Sequence, residues 1–419
     1  MKKLSLLMVM LMMLTSWAFS HEENGVRKDA PVKVKKTLVS SSENEIVIDV
    51  RIDGYFATAV NTPKGQQLVI SGGDMASMLI KGAPDIPMFP VPIIIGDKAE
   101  MQVDIIDSKY VDIDNVEIAP SKGNISRQVN PDEVEYVYGE MYQQNAFYPA
   151  HQVSFEAPYI LRDFRGQNIM VYPYAYNPVT KILRIYTQMT ISAKKISDNG
   201  ENQKISRRNN RVDSEIAASY ERRFINYSED RYSFLDDNGE MLIVCADEYL
   251  DEMQDLVDWK NISGRPTSIV PVSTTGTLDQ LKSYLQSYYN THPNLTHILL
   301  VGEHNDLPAY PTTVINGFTS ARTDNYYGQL EGDDLYMDVF IGRLSVADEI
   351  DAENQVEKII YYERDIDETA SWLGKGIAIG SVEGNGHYGE KDYQHIDFIR
   401  DTLMNYTYQS ISQRYEGVY

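Results

Sequence analysis

The sequence predicts a multidomain protein, in which an all-β, sandwich-like region precedes an α/β domain with a parallel sheet and helices on both faces. Two patterns carry this prediction: short alternating segments up to about residue 231, and apolar strands that alternate with helical segments from residue 241. A length of 419 residues also suits two or three domains. We expect the α/β domain to be incomplete, because the chain ends one strand after a new strand–helix cycle begins.

The first twenty residues have the pattern of a secretory signal peptide. Lys2 and Lys3 precede a Leu/Met-rich run, and Ala18-Phe19-Ser20 fits a cleavage site after Ser20. A membrane anchor or a buried helix is the alternative, but the apolar run is short for a bilayer span. We therefore expect a secreted, extracellular protein with no transmembrane segment. Domains outside this chain could still anchor it to a cell surface.

The composition argues against a nucleic-acid-binding protein. The chain has 38 basic and 61 acidic residues, for a formal net charge of −23. The one cysteine, Cys245, excludes an intramolecular disulfide framework. Because Cys245 lies in a strand that is apolar on both sides, we expect a small buried hydrophobic residue and not a nucleophile.

Period-two patterns predict the strands of the first region. Residues 45–53 and 101–107 alternate apolar and polar side chains, and residues 171–176 and 181–186 suggest two strands around a turn. The proline-rich residues 83–92 predict an extended surface path that is neither central strand nor helix. Many short strands of this kind are typical of a β-sandwich.

Residues 197–223 are polar and rich in Asn, Ser and Arg, which predicts a linker or an exposed tail with a short helical possibility at 214–220. The boundaries that follow from these changes are a signal peptide (1–20), a β-rich region with its polar linker (21–231), a first α/β subdomain (232–372) and the start of a second (373–419).

Strands and helices alternate in the last third of the chain. The strands are predicted at 241–246, 267–272, 297–301, 339–342 and 376–380, and the helices at 249–261, 278–289, 352–364 and around 396–403. Such alternation predicts a parallel sheet, whose ligands gather at the carboxyl ends of the strands.

An acidic segment precedes the strand at 339–342. Asp334, Tyr336 and Asp338 stand at alternate positions, with Glu331 and Asp333 close by. Carboxylates spaced in this way in an extended loop suit Ca²⁺, which binds six to eight oxygens in flexible geometry. A solvated acidic loop is the alternative on spacing alone.

The loop after the strand at 376–380 is a second candidate site. Glu383 comes just past the strand end, and Glu390 and His395 are near enough in sequence to share a cation. His387 lies between them, but no nucleophile stands nearby, so an exposed loop histidine is the favoured interpretation.

Taken in order, these segments resemble the gingipain family of secreted cysteine peptidases, whose fold is caspase-like. The resemblance runs from about residue 231 to residue 419. It is carried by the segments 241–244, 257–261, 297–304, 324–329, 338–343, 362–364, 372–374 and 392–395. The β-rich region before them is similar to the inhibitory propeptide of the family.

The resemblance implies a processing site and two calcium sites. Arg231-Tyr232 is similar to the junction at which such precursors are cut. The side chains of Asp334 and Asp338, with main-chain oxygens of Glu331 and Tyr336, match one calcium loop. Glu303, Glu390 and His395 match a second calcium site. The family usually has Asp at the position of Glu303, so a longer side chain has to fit there.

The resemblance also implies two roles in the active site. Glu383 matches the carboxylate that orients the catalytic histidine, and Asp392 matches the acid at the base of the pocket for arginine. The catalytic histidine and cysteine of the family would lie beyond Tyr419, so we expect this chain by itself to be inactive.

The function implied is that of a precursor of an extracellular, calcium-stabilised cysteine endopeptidase that cleaves proteins or peptides after Arg, with its own propeptide as inhibitor. Arg162 and Arg165 are candidates for an arginine that blocks the cleft at Asp392. The alternative is a secreted, non-catalytic binding or structural protein that retains a truncated peptidase scaffold. A cytosolic caspase-type protease is opposed by the signal peptide.

Overall fold

The computed structural model describes residues 21–23, 26–28, 32–73, 75–125, 129–205, 211–212, 214–228, 233–234, 238–312, 321–383 and 390–417. These residues form two compact units. The first takes in the described residues up to Asp247 together with Lys260–Ser345, and the second takes in Glu248–Trp259 and the described residues from Val346. No helix in these ranges is long and apolar enough to cross a membrane.

The amino-terminal part of the first unit is built from β-strands. They are β1 (His21–Glu23), β2 (Val26–Lys28), β3 (Val34–Ser41), β4 (Glu45–Ile52), β5 (Gly54–Thr62), β6 (Gly65–Ser71), β7 (Ala76–Ser77), β8 (Pro87–Ile95), β9 (Glu100–Ile113), β10 (Val153–Phe155), β11 (Tyr159–Leu161), β12 (Phe164–Val171), β13 (Tyr174–Asn177) and β14 (Ile182–Ser197).

Two of the sheets in this region pack face to face. One has the order β13-β14-β4-β3, with β9 also paired to β14, and the other has the order β10-β12-β8-β7, with β11 also paired to β12. Their inner faces meet in one apolar core, to which β4 contributes Ile48, β8 contributes Val91 and β14 contributes Ile191. The alternating pattern thus places one face of each strand in the core, and the sandwich expected from the sequence is confirmed.

The prediction of a surface path at residues 83–92 was wrong. β8 lies inside its sheet, antiparallel to β12, with Phe89 and Val91 buried. Pro90 and Pro92 fit because their backbone faces the edge away from β12, where their carbonyls accept from Lys36 Nζ and from the backbone N–H of residue 225. A missing N–H costs little at positions where no strand partner needs it.

The prediction of a linker or exposed tail at residues 197–223 was also wrong in part. A short strand, β15 (Arg211–Val212), is followed by the helix α1 (Ser214–Arg223). The helix buries Ile216 and Tyr220 against the hairpin formed by β11 and β12. The short helix expected at 214–220 is present, but its apolar stripe makes it part of the packed structure.

The rest of the first unit is an α/β structure. Its strands are β16 (Ser233–Phe234), β17 (Glu240–Cys245), β18 (Thr267–Pro271), β19 (Leu295–Val301), β20 (Tyr310–Pro311), β21 (Arg322–Thr323) and β22 (Phe340–Leu344). Its helices are α2 (Gln254–Ile262, which also enters the second unit), α3 (Val272–Thr275), α4 (Asp279–Thr291) and α5 (Asn325–Gly328). The main sheet has the order β18-β17-β19-β22 with all neighbours parallel, which confirms the predicted parallel sheet.

The second unit begins another strand–helix–strand cycle. It contains α6 (Glu349–Ile360), a π-helical turn at Tyr361–Asp365, β23 (Lys375–Gly380), α7 (Asp392–Tyr406) and β24 (Ser410–Tyr415). β23 and β24 pair in parallel, and Ala378, Ile411 and Tyr415 form their small core with side chains of α7. The division between the units falls at residue 345, whereas the sequence predicts a subdomain boundary at 372.

Candidate functional site

The end of β23 lies close to the start of α7. A Cβ on Gly380 would lie 2.6 Å from Cα of Tyr393, so only glycine allows the strand end and the helix start to approach in this way. The backbone N–H of Tyr393 donates to the carbonyl of Ser381 at 3.1 Å. This contact positions the first turn of α7 against the carboxyl end of the strand, where parallel sheets bind ligands.

Ser381 brings the two predicted active-site acids into one small network. Its hydroxyl donates to Oδ2 of Asp392 at 2.9 Å and accepts from the backbone N–H of Glu383 at 3.1 Å. The N–H of Asp392 donates to the carbonyl of Glu383 at 3.0 Å. Glu383 is exposed and Asp392 is half-buried. Sequence reasoning missed Ser381, although a serine directly after the strand's last glycine is a natural turn residue.

Two of the three residues predicted for the second calcium site lie together. Nδ1 of His395 is 3.1 Å from Oε1 of Glu390 in the second unit. Glu303 belongs to the first unit, where its N–H donates to Asp306 and its carbonyl accepts from the backbone N–H groups of Asp306 and Leu307. The three-residue set therefore stays a prediction.

The acidic segment Glu331–Asp338, here called the acid loop, contacts the β-rich region through Asp334. Oδ2 of Asp334 accepts from the N–H of Ile160 at 2.7 Å and from Nδ2 of Asn202 at 3.2 Å. Oδ1 accepts from the N–H of Tyr336 at 2.9 Å. Both carboxylate oxygens of Asp334 are thus engaged by N–H donors.

Asp338 is the most buried acid of the loop, with 2% of its surface exposed. Oδ1 accepts from the N–H of Arg162 at 3.0 Å. Oδ2 accepts from the N–H groups of Leu330 and Glu331 at 2.6 and 2.8 Å. Burial raises the pKa of Asp338 to about 7, while these three donors act in the opposite direction.

Glu331 and Tyr336 also face the β-rich region. Lys204 Nζ lies 3.8 Å from Oε1 of Glu331, and the ring of Tyr336 stacks on that of Tyr159 with centroids 3.9 Å apart. Lys282 of α4 donates to the carbonyls of Tyr326 and Gln329 and anchors the chain just before the loop. Burial lowers the pKa of Lys282 to about 8. Nothing in the local sequence indicates these long-range partners.

The donor set of the acid loop does not fit a bound cation in this structure. The carboxylates of Asp334 and Asp338 accept hydrogen bonds at both oxygens, and Asp338 has almost no solvent-facing surface. Across the described ranges, no group of three or more His, Cys, Asp or Glu side chains is arranged to hold a metal ion.

Arg162 and Arg165 are structural anchors, and the suggestion that they block the cleft at Asp392 was wrong for this structure. The Arg162 guanidinium donates to the carbonyls of Leu295 and Pro293 at 2.6 and 3.2 Å. That of Arg165 donates to carbonyls of its own β-rich region. Both side chains are at most 3% exposed.

Of the remaining predicted residues, the structure describes only Cys245. Cys245 is fully buried in β17, as expected for a small core residue. Ser20, Arg231 and Tyr232 of the predicted processing sites, and His387, lie outside the described residues.

Comparison with known proteins identifies the family. Residues 27–234 match Propeptide_C25 and residues 234–417 match Peptidase family C25. The chain is 36% identical over 389 residues to Gingipain R1 of Porphyromonas gingivalis, covering 91% of this chain and 38% of that protein. It is 35% identical to Gingipain R2 of P. gingivalis strain W83, covering 90% and 52%. Identity to Lys-gingipain of P. gingivalis is 21%, covering 85% and 21%.

Solved structures of the same family are also similar. The complex of P. gingivalis RgpB pro- and mature domains matches with a TM-score of 0.43 and 34% identity, covering 46% of this chain and 98% of that chain. The Arg-specific cysteine proteinase gingipain R matches with a TM-score of 0.39 and 35% identity, covering 43% and 42%. The chain spans about half or less of the length of the curated relatives named above. Since the two family matches follow one another from residue 27 to residue 417, the chain belongs to peptidase family C25, the gingipain family, as a propeptide region followed by a peptidase region.

Proposed function

We propose that this chain is the precursor part of an extracellular cysteine endopeptidase that cleaves after arginine and is kept latent by its propeptide. The observation that carries the proposal is the network after β23, in which Ser381 connects Glu383 and Asp392 at the carboxyl end of a parallel strand. Family membership supports the cysteine-peptidase class. The Leu/Met-rich run after Lys2 and Lys3 supports export.

The two acids have different roles in the proposed reaction. The proposed reaction uses a cysteine as the nucleophile and a histidine as the base. Glu383 orients the imidazole and stabilises its charged form, as the third member of a catalytic triad does. Asp392 receives the guanidinium of the substrate in a charge-assisted pair, which an arginine fork satisfies better than a lysine ammonium. The higher identity to Gingipain R1 than to Lys-gingipain supports the choice of arginine.

Contacts inside the first unit support the role of the propeptide. Arg162 of the β-rich region donates to the carbonyl of Leu295 in the α/β region at 2.6 Å. A second contact is the ion pair of Glu215 in α1 with Arg265, at 2.8 Å. Because the buried hydrogen bonds of Arg162 are costly to break, we propose that the propeptide stays bound after the chain is cut between Arg231 and Tyr232. The family matches meet at residue 234, which supports a junction there.

We propose that calcium binds only to the mature form of the protein. The acid loop and the set Glu303, Glu390 and His395 are the proposed sites, because carboxylate and carbonyl oxygens are the ligands that Ca²⁺ prefers. The bonds that the acid loop makes to the propeptide would have to be broken first.

The experiment that tests the proposed function is a cleavage assay on the full-length, processed protein. Matched peptides would differ only in having Arg, citrulline or Lys before the cleaved bond. A hydrogen bond to a charged group is worth about 1.5–3 kcal/mol, so we expect Arg to be preferred over citrulline by roughly 10- to 100-fold in kcat/KM. Equal rates for the three peptides would contradict arginine specificity. No hydrolysis, together with a stop codon directly after Tyr419, would favour the non-catalytic binding protein.

A further inference from the structure

A cavity of about 180 Å³ lies between the β-rich region and the first α/β region, within the first unit. One wall comes from the end of β11, the turn after it and α1, and the other wall comes from residues 337–340. The apolar side chains on these walls are Leu161, Ile216, Tyr220, Met337, Val339 and Phe340. The propeptide region and the peptidase region thus each supply half of the apolar lining.

The cavity lies between side chains of two apolar clusters. Ile216 and Tyr220 belong to the cluster that packs α1 against the hairpin of β11 and β12, whereas Val339 belongs to the core of the parallel sheet. Ile216 is 6% exposed, Tyr220 is 1% exposed and Val339 is 3% exposed. Because these side chains are held in packed cores, they cannot move far enough to close the space between them.

The polar side chains on the lining offer little to a water molecule. The Arg162 guanidinium donates to backbone carbonyls of the α/β region, and the Tyr220 hydroxyl donates to Asp163 at 2.7 Å. Asp338 accepts three backbone N–H groups, and Ser219 is half-buried. A buried water needs about two to four polar partners, which these engaged groups do not supply.

The volume of the cavity suits one small ring. A cavity of about 150 Å³ lined by Leu, Ile and Phe side chains stays dry and binds benzene. A charged molecule would lose its hydration here without gaining partners. The ligand class that fits the cavity is therefore neutral, apolar and about one aromatic ring in size.

We propose that this cavity is a binding site for a small, neutral, apolar molecule, and that its occupant holds the propeptide region on the peptidase region. Both regions line the cavity, so the site is complete only in their assembled form. The ligand strengthens propeptide binding by the same factor by which the propeptide strengthens ligand binding. The inference rests on the proposed function only for the release of the propeptide after cleavage.

Calorimetric titration of the full-length precursor with toluene tests the site. The variant Arg231→Ala keeps the propeptide attached during the measurement. We expect saturable binding with a negative heat-capacity change, because burial of apolar surface has this signature. The absence of saturable toluene binding would overturn the inference.

Ser219→Leu fills the cavity with an apolar side chain from α1. The matched control is Ala218→Leu, at an exposed position of the same helix. We expect the toluene affinity to fall about tenfold in Ser219→Leu and to stay within about twofold of the wild type in the control. Equal affinities in the two variants would contradict the assignment of the site.

A second variant covers the case in which Ser219→Leu misfolds. Phe340 is 43% exposed, so Phe340→Ala removes part of a cavity wall without removing a core side chain. We expect toluene to bind about fivefold more weakly, because the ligand then buries less apolar surface. An unchanged affinity would contradict the inference.

Propeptide dissociation from the processed protein tests the second part of the inference. Toluene at ten times its dissociation constant is expected to strengthen propeptide binding about elevenfold. The measurement is the amount of propeptide that leaves the peptidase region on dilution, with peptidase activity recorded in parallel. Unchanged dissociation would overturn the coupling. If toluene strengthens propeptide binding but no peptidase activity appears at any dilution, the proposed function fails and the inference stands.

Discussion

Ser381 shows how one short side chain positions two functional groups. Its hydroxyl accepts from the N–H of Glu383 and donates to Asp392, so the proposed orienting acid and the proposed selecting acid share one hydrogen-bond network. The sequence predicts both acids through the family resemblance. It does not predict Ser381, because the bond to Asp392 depends on the close approach of α7 to Gly380.

Asp85 is a residue of the propeptide whose charge opposes folding at neutral pH. Burial raises the pKa of Asp85, and the hydroxyl of Ser77 donates to its Oδ1 at 2.5 Å. A carboxyl whose pKa is higher in the folded than in the unfolded state favours folding at pH values below both pKa values. That contribution is lost as the pH rises through the folded pKa.

We therefore expect Asp85→Asn to raise the free energy of unfolding of the precursor at pH 7 and to have a smaller effect at pH 4. The amide oxygen can still accept the bond from Ser77. The measurement is the denaturant midpoint as a function of pH, with Asp104→Asn at an exposed position as the control. A variant that is less stable than the wild type at pH 7 would contradict this account.

β8 illustrates what is predictable at the scale of a single element. The alternation of buried and outer residues along Pro87–Ile95 is visible in the sequence, but three prolines argue against a strand inside a sheet. A proline removes a hydrogen bond between strands only if its nitrogen faces the neighbouring strand. Which way it faces depends on the register with β12, a strand more than seventy residues later. In the same way, the partners that bury Ile216 and Tyr220 of α1 come from a distant hairpin. Local sequence patterns therefore predict the positions of strands and helices better than they predict which parts of the protein these elements pack against.

Asn226 replaces a missing strand at the outer edge of β8. Its side chain accepts from the N–H of Ile94 at 2.8 Å and donates to the carbonyl of Ile94 at 2.9 Å. The residue is 6% exposed, so no water can take over both bonds easily.

Truncation of this side chain, Asn226→Ala, would leave two buried backbone groups without these partners. We expect the free energy of unfolding of the precursor to fall by about 1–3 kcal/mol, measured by denaturant unfolding. The control is Asn199→Ala at an exposed position, for which a change within about 0.5 kcal/mol is expected. Similar losses for the two variants would refute the role of Asn226.

At the scale of the whole molecule, the propeptide region and the first α/β region belong to one compact unit. Arg162 contacts the carbonyl of Leu295 and the carboxylate of Asp338, which are 133 and 176 positions away in sequence. The alternation of strands and helices predicts the parallel sheet, and the family resemblance predicts the acid loop. Neither predicts that the propeptide bonds to the loop's carboxylates, because spacing along one segment contains no information about a partner so far away.

The most direct test of the central claim is the arginine preference of the variant Asp392→Asn in the full-length, processed protein. Asp401→Asn, on an exposed face of α7, is the matched control. Loss of a bidentate charged pair is expected to lower kcat/KM for an Arg peptide about 100-fold and to leave the citrulline peptide within about threefold, with no change in the control. An undiminished preference for Arg in Asp392→Asn would contradict the claim that this chain carries the specificity of an arginine-directed peptidase.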